Sequence, residues 1–264
     1  MPNSAAERNA RSTRWARARH IAANACLTSP GARVCAMRSL LLVPLLLLTA
    51  AAPAQERRFM VGGFERLRVE GPFEVEVVPG IPGAIAVGDR AALDQVTVRT
   101  SDDILIVSGG PLSWSGRKGA TLPTVRISAR SLRGVALSGG ARVRVAEMHG
   151  ARVELLQAGA GSLDVASIRT DDLTANLNGT GTMALAGTAA RAQVRNYGTG
   201  SIDASGLTAG DARLNSAGSG SIRINVRFTA RANAVGSGAI DITGNPECVL
   251  RGPGPMTCTG TIRR

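Results

Sequence analysis

The chain has 264 residues, with 31 Lys+Arg against 19 Asp+Glu, a net charge of +12 and only two His. Aromatic residues make up 3% and Gly numbers 32, so a core must be aliphatic and the fold must take many tight turns. An apolar content of 44% excludes global disorder.

Residues 1–36 are Arg-rich and precede Met37, which is well placed to start the segment that follows. They are expected to be a spurious or disordered extension. Residues 37–54, "MRSLLLVPLLLLTAAAPA", have one basic residue, Arg38, then an apolar run from Leu40 to Ala52, then a small-x-small site. That pattern predicts a secretory signal peptide cleaved near Ala54. The run is shorter than the roughly 20 apolar residues of a membrane span, so no integral membrane segment is expected after cleavage. Seven Arg and one Glu lie in residues 1–54, which leaves the remainder at net +6. Such a mild bias favours acidic partners such as anionic polysaccharide. Nucleic acid is not expected of an exported chain with no basic block.

Residues 55–264 read as one domain. From 58 to 130 the chain offers short alternating runs, among them "FERLRVEG", "FEVEVVPG", "DILIVSGG" and "TVRISAR", separated by turn residues. They predict the first, longer coils of a solenoid. One helical turn is expected at Asp89–Gln95. The loop Gly109–Pro123 carries Trp114 and the only Lys, Lys118; Trp114 either anchors a ligand or covers the solenoid.

From 131 to 244 a phrase recurs: Gly159/Gly161, Gly179/Gly181, Gly198/Gly200, Gly218/Gly220 and Gly236/Gly238, with a degenerate copy at Gly139/Ala141. The period is close to 20 residues, which marks a repeat architecture. Stacked on the first glycine, one column reads Val143, Leu163, Met183, Ile202, Ile222 and Ile240, and a second, two residues on, reads Val145, Val165, Leu185, Ala204, Ile224 and Ile242. Between them stand Arg144, Asp164, Ala184, Asp203, Arg223 and Asp241. Apolar, polar, apolar is the signature of a strand with one buried face. Another strand precedes the glycines, with Val135, Leu155, Ala175, Val194, Leu214 and Ala232 inward and a neighbouring polar column that includes Asn176, Asn215 and Asn233. The prediction is an all-β fold, a parallel β-helix or β-solenoid, with glycine corners that often need positive φ and whose small size lets the next coil stack directly above. The charged column predicts a surface ladder. Asn176, Asn215 and Asn233 form a polar ladder on the adjoining face that could also meet a ligand.

The glycine phrases are poor dinucleotide motifs, because a strand rather than a helix follows each. Calcium-binding nonapeptides need a nine-residue period and an Asp in every turn, which Arg144, Ala184 and Arg223 interrupt. No cofactor or metal is expected. Residues 245–264 hold Cys248 and Cys258, which in an oxidising compartment most simply form a disulfide closing a C-terminal cap.

The order of "FERLRVEGPFEVEVVPG", "AIAVGDRAALDQVTVRTSDDILIV" and the repeated "GTGSID" units resembles the auto-transporter adhesin head GIN domain, a family of exported bacterial proteins of otherwise unknown function. The resemblance implies an all-β, β-helix-like fold and brings no catalytic residues. No series of ten-residue barrel strands precedes the closing "TCTGTIRR", so a membrane barrel is not expected. The leading functional reading is an extracytoplasmic, non-enzymatic binding module for glycan or envelope material. A structural or sensory periplasmic protein is the alternative. A β-helix polysaccharide enzyme is the weakest reading, since Asp102-Asp103 and Asp171-Asp172 are acid pairs expected in turns.

Overall fold

The computed structural model describes residues 55–109 and 122–263. The expected signal peptide, residues 1–36 and Trp114 lie outside them. Among the described residues no helix is long and apolar enough to cross a membrane.

In chain order the elements are β1 (Gln55–Phe59), β2 (Arg66–Glu70), β3 (Glu74–Pro79), β4 (Gly83–Gly88), α1 (Arg90–Leu93), β5 (Val96–Ser101) and β6 (Ile104–Gly109). Then come β7 (Thr124–Ala129), β8 (Gly134–Gly139), β9 (Arg142–Val145), β10 (Met148–Gly159), β11 (Ser162–Gly179), β12 (Thr182–Asn196) and β13 (Ser201–Ser216). The series ends with β14 (Ile222–Ala234), β15 (Ile240–Gly244), β16 (Glu247–Arg251), β17 (Met256–Cys258) and β18 (Thr261–Arg263). The result is a β-solenoid of about 6 turns. Helix is confined to α1, inside the turn that the sequence predicts.

The predicted columns stack. Leu163 pairs with Met183, Met183 with Ile202, Ile202 with Ile222 and Ile222 with Ile240, all in parallel. Ile202 is 1% exposed and Ile222 and Ile240 are 0% exposed, so they share one interior. On the strand before the glycines, Leu67, Val135, Leu155, Ala175, Val194, Leu214, Ala232 and Leu250 continue rung by rung. Each coil thus has a leading face after the Gly-x-Gly corner and a trailing face before it. Both close on the same aliphatic column.

Returns such as "SGLTAGDA" are strand, because the parallel ladder runs straight through them in β11, β12 and β13. Differences in coil length are absorbed at bulges just after the leading face, for example between Val165 and Ile168 or between Ala204 and Thr208. The glycine corners stay in register as a result. Some corners take positive φ, as expected. Gly159 and Gly179 adopt it, at 118° and 136°. In later coils the demand is close approach: a Cβ on Gly220 would overlap the carbonyl oxygen of Gly200 in the coil beneath.

The N-terminal strands differ from the predicted first coils in both order and direction. Residues of β2 pair in parallel with β6 on one side and β8 on the other, and β3 lies likewise between β7 and β9. The coil made by β2 and β3 is therefore inserted between coils that come later in the chain. Beyond β6 and β7 the stack ends in antiparallel pairs: β5 with β6, β4 with β7, and β1 with β4. Alternation along these strands reports which face is buried but carries no information about which strand lies next to which. At the other end the coils continue through β14–β16–β18 and β15–β17. Cys248 and Cys258 are disulfide-bonded and tie the two faces of this last segment together.

Candidate functional site

The two outer faces carry similar residue types but use their charges differently. On the leading face the predicted ladder forms over its last three charges, while Arg144 turns to Glu74 and Asp164 makes no ion pair among the described residues. Asp203 is in register with Arg223 and Arg223 with Asp241, with ion-pair distances of 3.9 and 4.0 Å. Asp203 also accepts from the Ser205 hydroxyl at 2.6 Å, and that hydrogen bond, with the Ser205 amide, holds its carboxyl below the usual value. Asp241 accepts from Thr257 at 2.7 Å. Toward the N-terminus, Glu76 meets Arg126 at 3.4 Å and Glu74 meets Arg144 at 3.9 Å. Opposite charges alternate here and largely consume one another.

The trailing face presents three outward columns. The first holds Asp172, Arg191, Asp211 and Thr229 in successive rungs. It is internally satisfied: Arg191 clamps Asp172 with two hydrogen bonds at 2.6 and 2.9 Å, and Thr229 donates to Asp211 at 2.6 Å. The Arg191 guanidinium holds the Asp172 carboxyl below its ordinary range through that direct bond. The acid pair Asp171-Asp172 therefore lies in strand β11 rather than in a turn, and Asp172 is already committed. Asp102 does sit in a turn, between β5 and β6, with φ of 55°.

The second and third columns are different. In the second, Thr174, Gln193, Arg213 and Arg231 follow one another, and in the third, Asn176, Arg195, Asn215, Asn233 and Arg251. Among the described residues, Arg195, Arg213, Arg231 and Arg251 make neither an ion pair nor a side-chain hydrogen bond. Arg213, Arg231 and Arg251 are exposed and Arg195 is half-buried. Arg191, Gln193, Arg213 and Arg231, with Asp172, Asp211 and Thr229, line a groove of about 420 Å³.

Three consecutive rungs pair a guanidinium with a carboxamide, two residues apart on one strand: Gln193 with Arg195, Arg213 with Asn215, and Arg231 with Asn233. The structure brings Asn215 and Asn233 together, with Nδ2 of Asn233 donating to Oδ1 of Asn215 at 3.4 Å. Asn176 stands apart from them, with Arg195 between, and its Oδ1 is buried without a partner. At the corner two residues beyond Arg195, Tyr197 is half exposed, and on the opposite margin Phe228 is exposed with the Arg227 guanidinium 5.2 Å from its ring centre.

Sequence reasoning found the asparagines but passed over the arginines beside them. The signal was present as "QVR", "RLN" and "RAN", each ending three residues before the first glycine of a corner. It also missed an inward polar column, Gln157, Asn196 and Ser216, all fully buried. These side chains bridge the corners from inside: Gln157 Nε2 donates to the Gly161 carbonyl at 2.5 Å and Asn196 Nδ2 to that of Gly200 at 2.7 Å. They support the fold and do not reach the surface. No group of three or more His, Cys, Asp or Glu among the described residues could hold a metal.

Residues 63–246 match the family described as "Putative auto-transporter adhesin, head GIN domain". The chain belongs to the head GIN domain family. Several solved structures share its fold. One, described as a putative adhesin from Bacteroides fragilis, is 22% identical with a TM-score of 0.72, covering 80% of this chain and 96% of that one. Another, described as a putative lipid binding protein from Parabacteroides distasonis, is 22% identical with a TM-score of 0.59, over 80% and 96% of the two chains. A third, a putative adhesin from Parabacteroides merdae, is 23% identical with a TM-score of 0.56, over 81% and 98%. At these identities the likeness concerns the head GIN fold itself. No curated protein matches the chain.

Proposed function

We propose that this head GIN domain protein is exported and acts without chemistry of its own, as an adhesin-like module that binds anionic glycan of the cell envelope. One observation carries the reading: on the leading face Asp203, Arg223 and Asp241 pair across consecutive rungs, while the trailing face sets four guanidiniums on consecutive rungs with neither an ion pair nor a side-chain hydrogen bond among the described residues. An unpaired, weakly hydrated guanidinium is a ready partner for carboxylate or phosphate. Four of them above a polar groove attract a polyanion and raise its rate of encounter. The two carboxylates that line the groove, Asp172 and Asp211, are both held by hydrogen bonds, which leaves no free acid–base pair across it of the kind glycoside hydrolysis uses.

A structural neighbour described as lipid-binding invites a second reading, in which the same arginines take lipid phosphate. The groove is lined mainly by charged and polar side chains, which suits a headgroup or a glycan better than acyl chains.

The test is a glycan array probed with the full chain and with an Arg213→Ser, Arg231→Ser double variant. Binding to acidic glycans that weakens with added salt and falls in the variant supports the proposal. Absence of binding to every acidic glycan, or equal binding by the variant, overturns it.

A further inference from the structure

The trailing face has a period as well as a charge. Rungs of a parallel sheet lie about 4.8 Å apart. Arg195, Arg213, Arg231 and Arg251 occupy four successive rungs, one each, with Arg213 and Arg231 directly in register and Arg195 and Arg251 one column over. The first three rungs add a carboxamide to the guanidinium. A guanidinium takes a carboxylate in a two-pronged hydrogen bond, and a carboxamide both donates to and accepts from hydroxyls. The repeating unit on the protein is therefore one carboxylate site plus one hydroxyl site per rung, advancing along the solenoid axis.

Resting on the anionic-glycan reading above, we propose that the occupant is a linear uronic acid polysaccharide lying parallel to the solenoid axis, one sugar residue to each coil. An extended 1,4-linked chain of pyranoses advances by close to one rung per residue, its successive carboxylates leaving on alternate edges, and a ribbon lying flat on the face keeps both edges open to the long guanidinium side chains. Polymers joined by phosphodiesters repeat at longer intervals and would leave successive guanidiniums unmatched. A bilayer offers negative charge with no register at all. Tyr197, two residues beyond Arg195, is half exposed, which leaves ring surface open to the apolar face of a sugar.

The experiment titrates the full chain calorimetrically with β-1,4-linked oligouronates of one to eight residues, their methyl esters, and vesicles of phosphatidylglycerol. Affinity is expected to rise with each added residue up to about four, one per guanidinium rung, and then level off. Replacing Arg213 by Ser should weaken the tetramer about tenfold, and the methyl esters should not bind. Asn215→Ala with Asn233→Ala should weaken the tetramer and leave vesicle binding unchanged. Tight binding of oligouronates with no length dependence overturns the rung-matched arrangement while leaving the anionic-glycan reading standing. Binding of vesicles but not oligouronates overturns both and assigns the arginines to lipid phosphate. No binding of any anionic probe also overturns both.

Discussion

Asn196 donates from its buried Nδ2 to the carbonyl oxygen of Gly200 at 2.7 Å, bridging a corner of the solenoid from within. Its Oδ1 accepts from the Gly198 amide at 3.1 Å, so one carboxamide serves both glycines. Removing a buried partner leaves the other group desolvated and unpaired. Asn196→Ala is expected to lower the unfolding free energy by about 1–3 kcal/mol. Asn196→Leu, which copies Leu177 in the rung beneath, should recover part of that loss. Urea denaturation of the three proteins decides it; equal midpoints would show that the bridge is dispensable.

Gly220 tests the close approach of coils. An added Cβ would overlap the Gly200 carbonyl oxygen, whereas one on Gly63 would meet nothing within 4 Å. Gly220→Ala should cost at least about 1–3 kcal/mol, in line with overpacking of a tight interior. Gly63→Ala should leave the melting temperature unchanged. Similar melting temperatures for the two variants would contradict the stacking.

Ile222 is wholly buried between Ile202 and Ile240. Its truncation to Ala removes side-chain contacts on two sides and opens a cavity in a column that cannot collapse freely. A loss of about 2–5 kcal/mol is expected. Truncation of the exposed Val235 should cost far less by the same urea measurement.

The disulfide closes a loop between residues separated by 10 positions. Reduction, or replacement of both cysteines by Ser, should remove about 3 kcal/mol on the chain-entropy model. The loss should be local first. Amide hydrogen exchange is expected to quicken in Glu247–Arg263 before the earlier coils respond. Uniform acceleration across the solenoid would mean that the bond stabilises the whole stack instead.

The Asp172–Arg191 pair makes a pH prediction. Because the Asp172 value is depressed in the folded protein, its contribution is present above the unfolded value and is lost as pH falls through the folded one. Asp172→Asn should therefore melt at a lower temperature than wild type at neutral pH. The gap should narrow below about pH 4 and close in stronger acid. The pair is exposed, so the gap is expected to be small and to shrink with salt. Parallel melting curves across that range would argue that Arg191 does not bind Asp172 in solution.

Much of the fold is written locally. Ile202, Ile222 and Ile240 announce their column because each follows its glycine by the same number of residues, and a parallel stack turns equal spacing into contact. The pairing of Cys248 with Cys258 was legible from their proximity in the chain. The position of β2 and β3 between later coils was not legible, since their alternation suits any neighbour with one apolar face. The site was half legible. Asn215 and Asn233 stood out as a column, but Arg213 and Arg231 gain significance only once Asp203, Arg223 and Asp241 are seen to pair on the leading face while these two do not pair on the trailing one.

The insertion of β2 and β3 has a consequence for how the molecule comes into being. Residues 66–79 emerge early yet must wait for both flanking neighbours, which arrive up to residue 145. The beginning of the rod is thus a knot-free clasp that must shut as one event. The later windings can be added singly, each templated by its predecessor. Trimming from the far end should shorten the rod a layer at a time, whereas loss of residues 66–79 would pull out the middle of the clasp and leave nothing for the rest to grow upon.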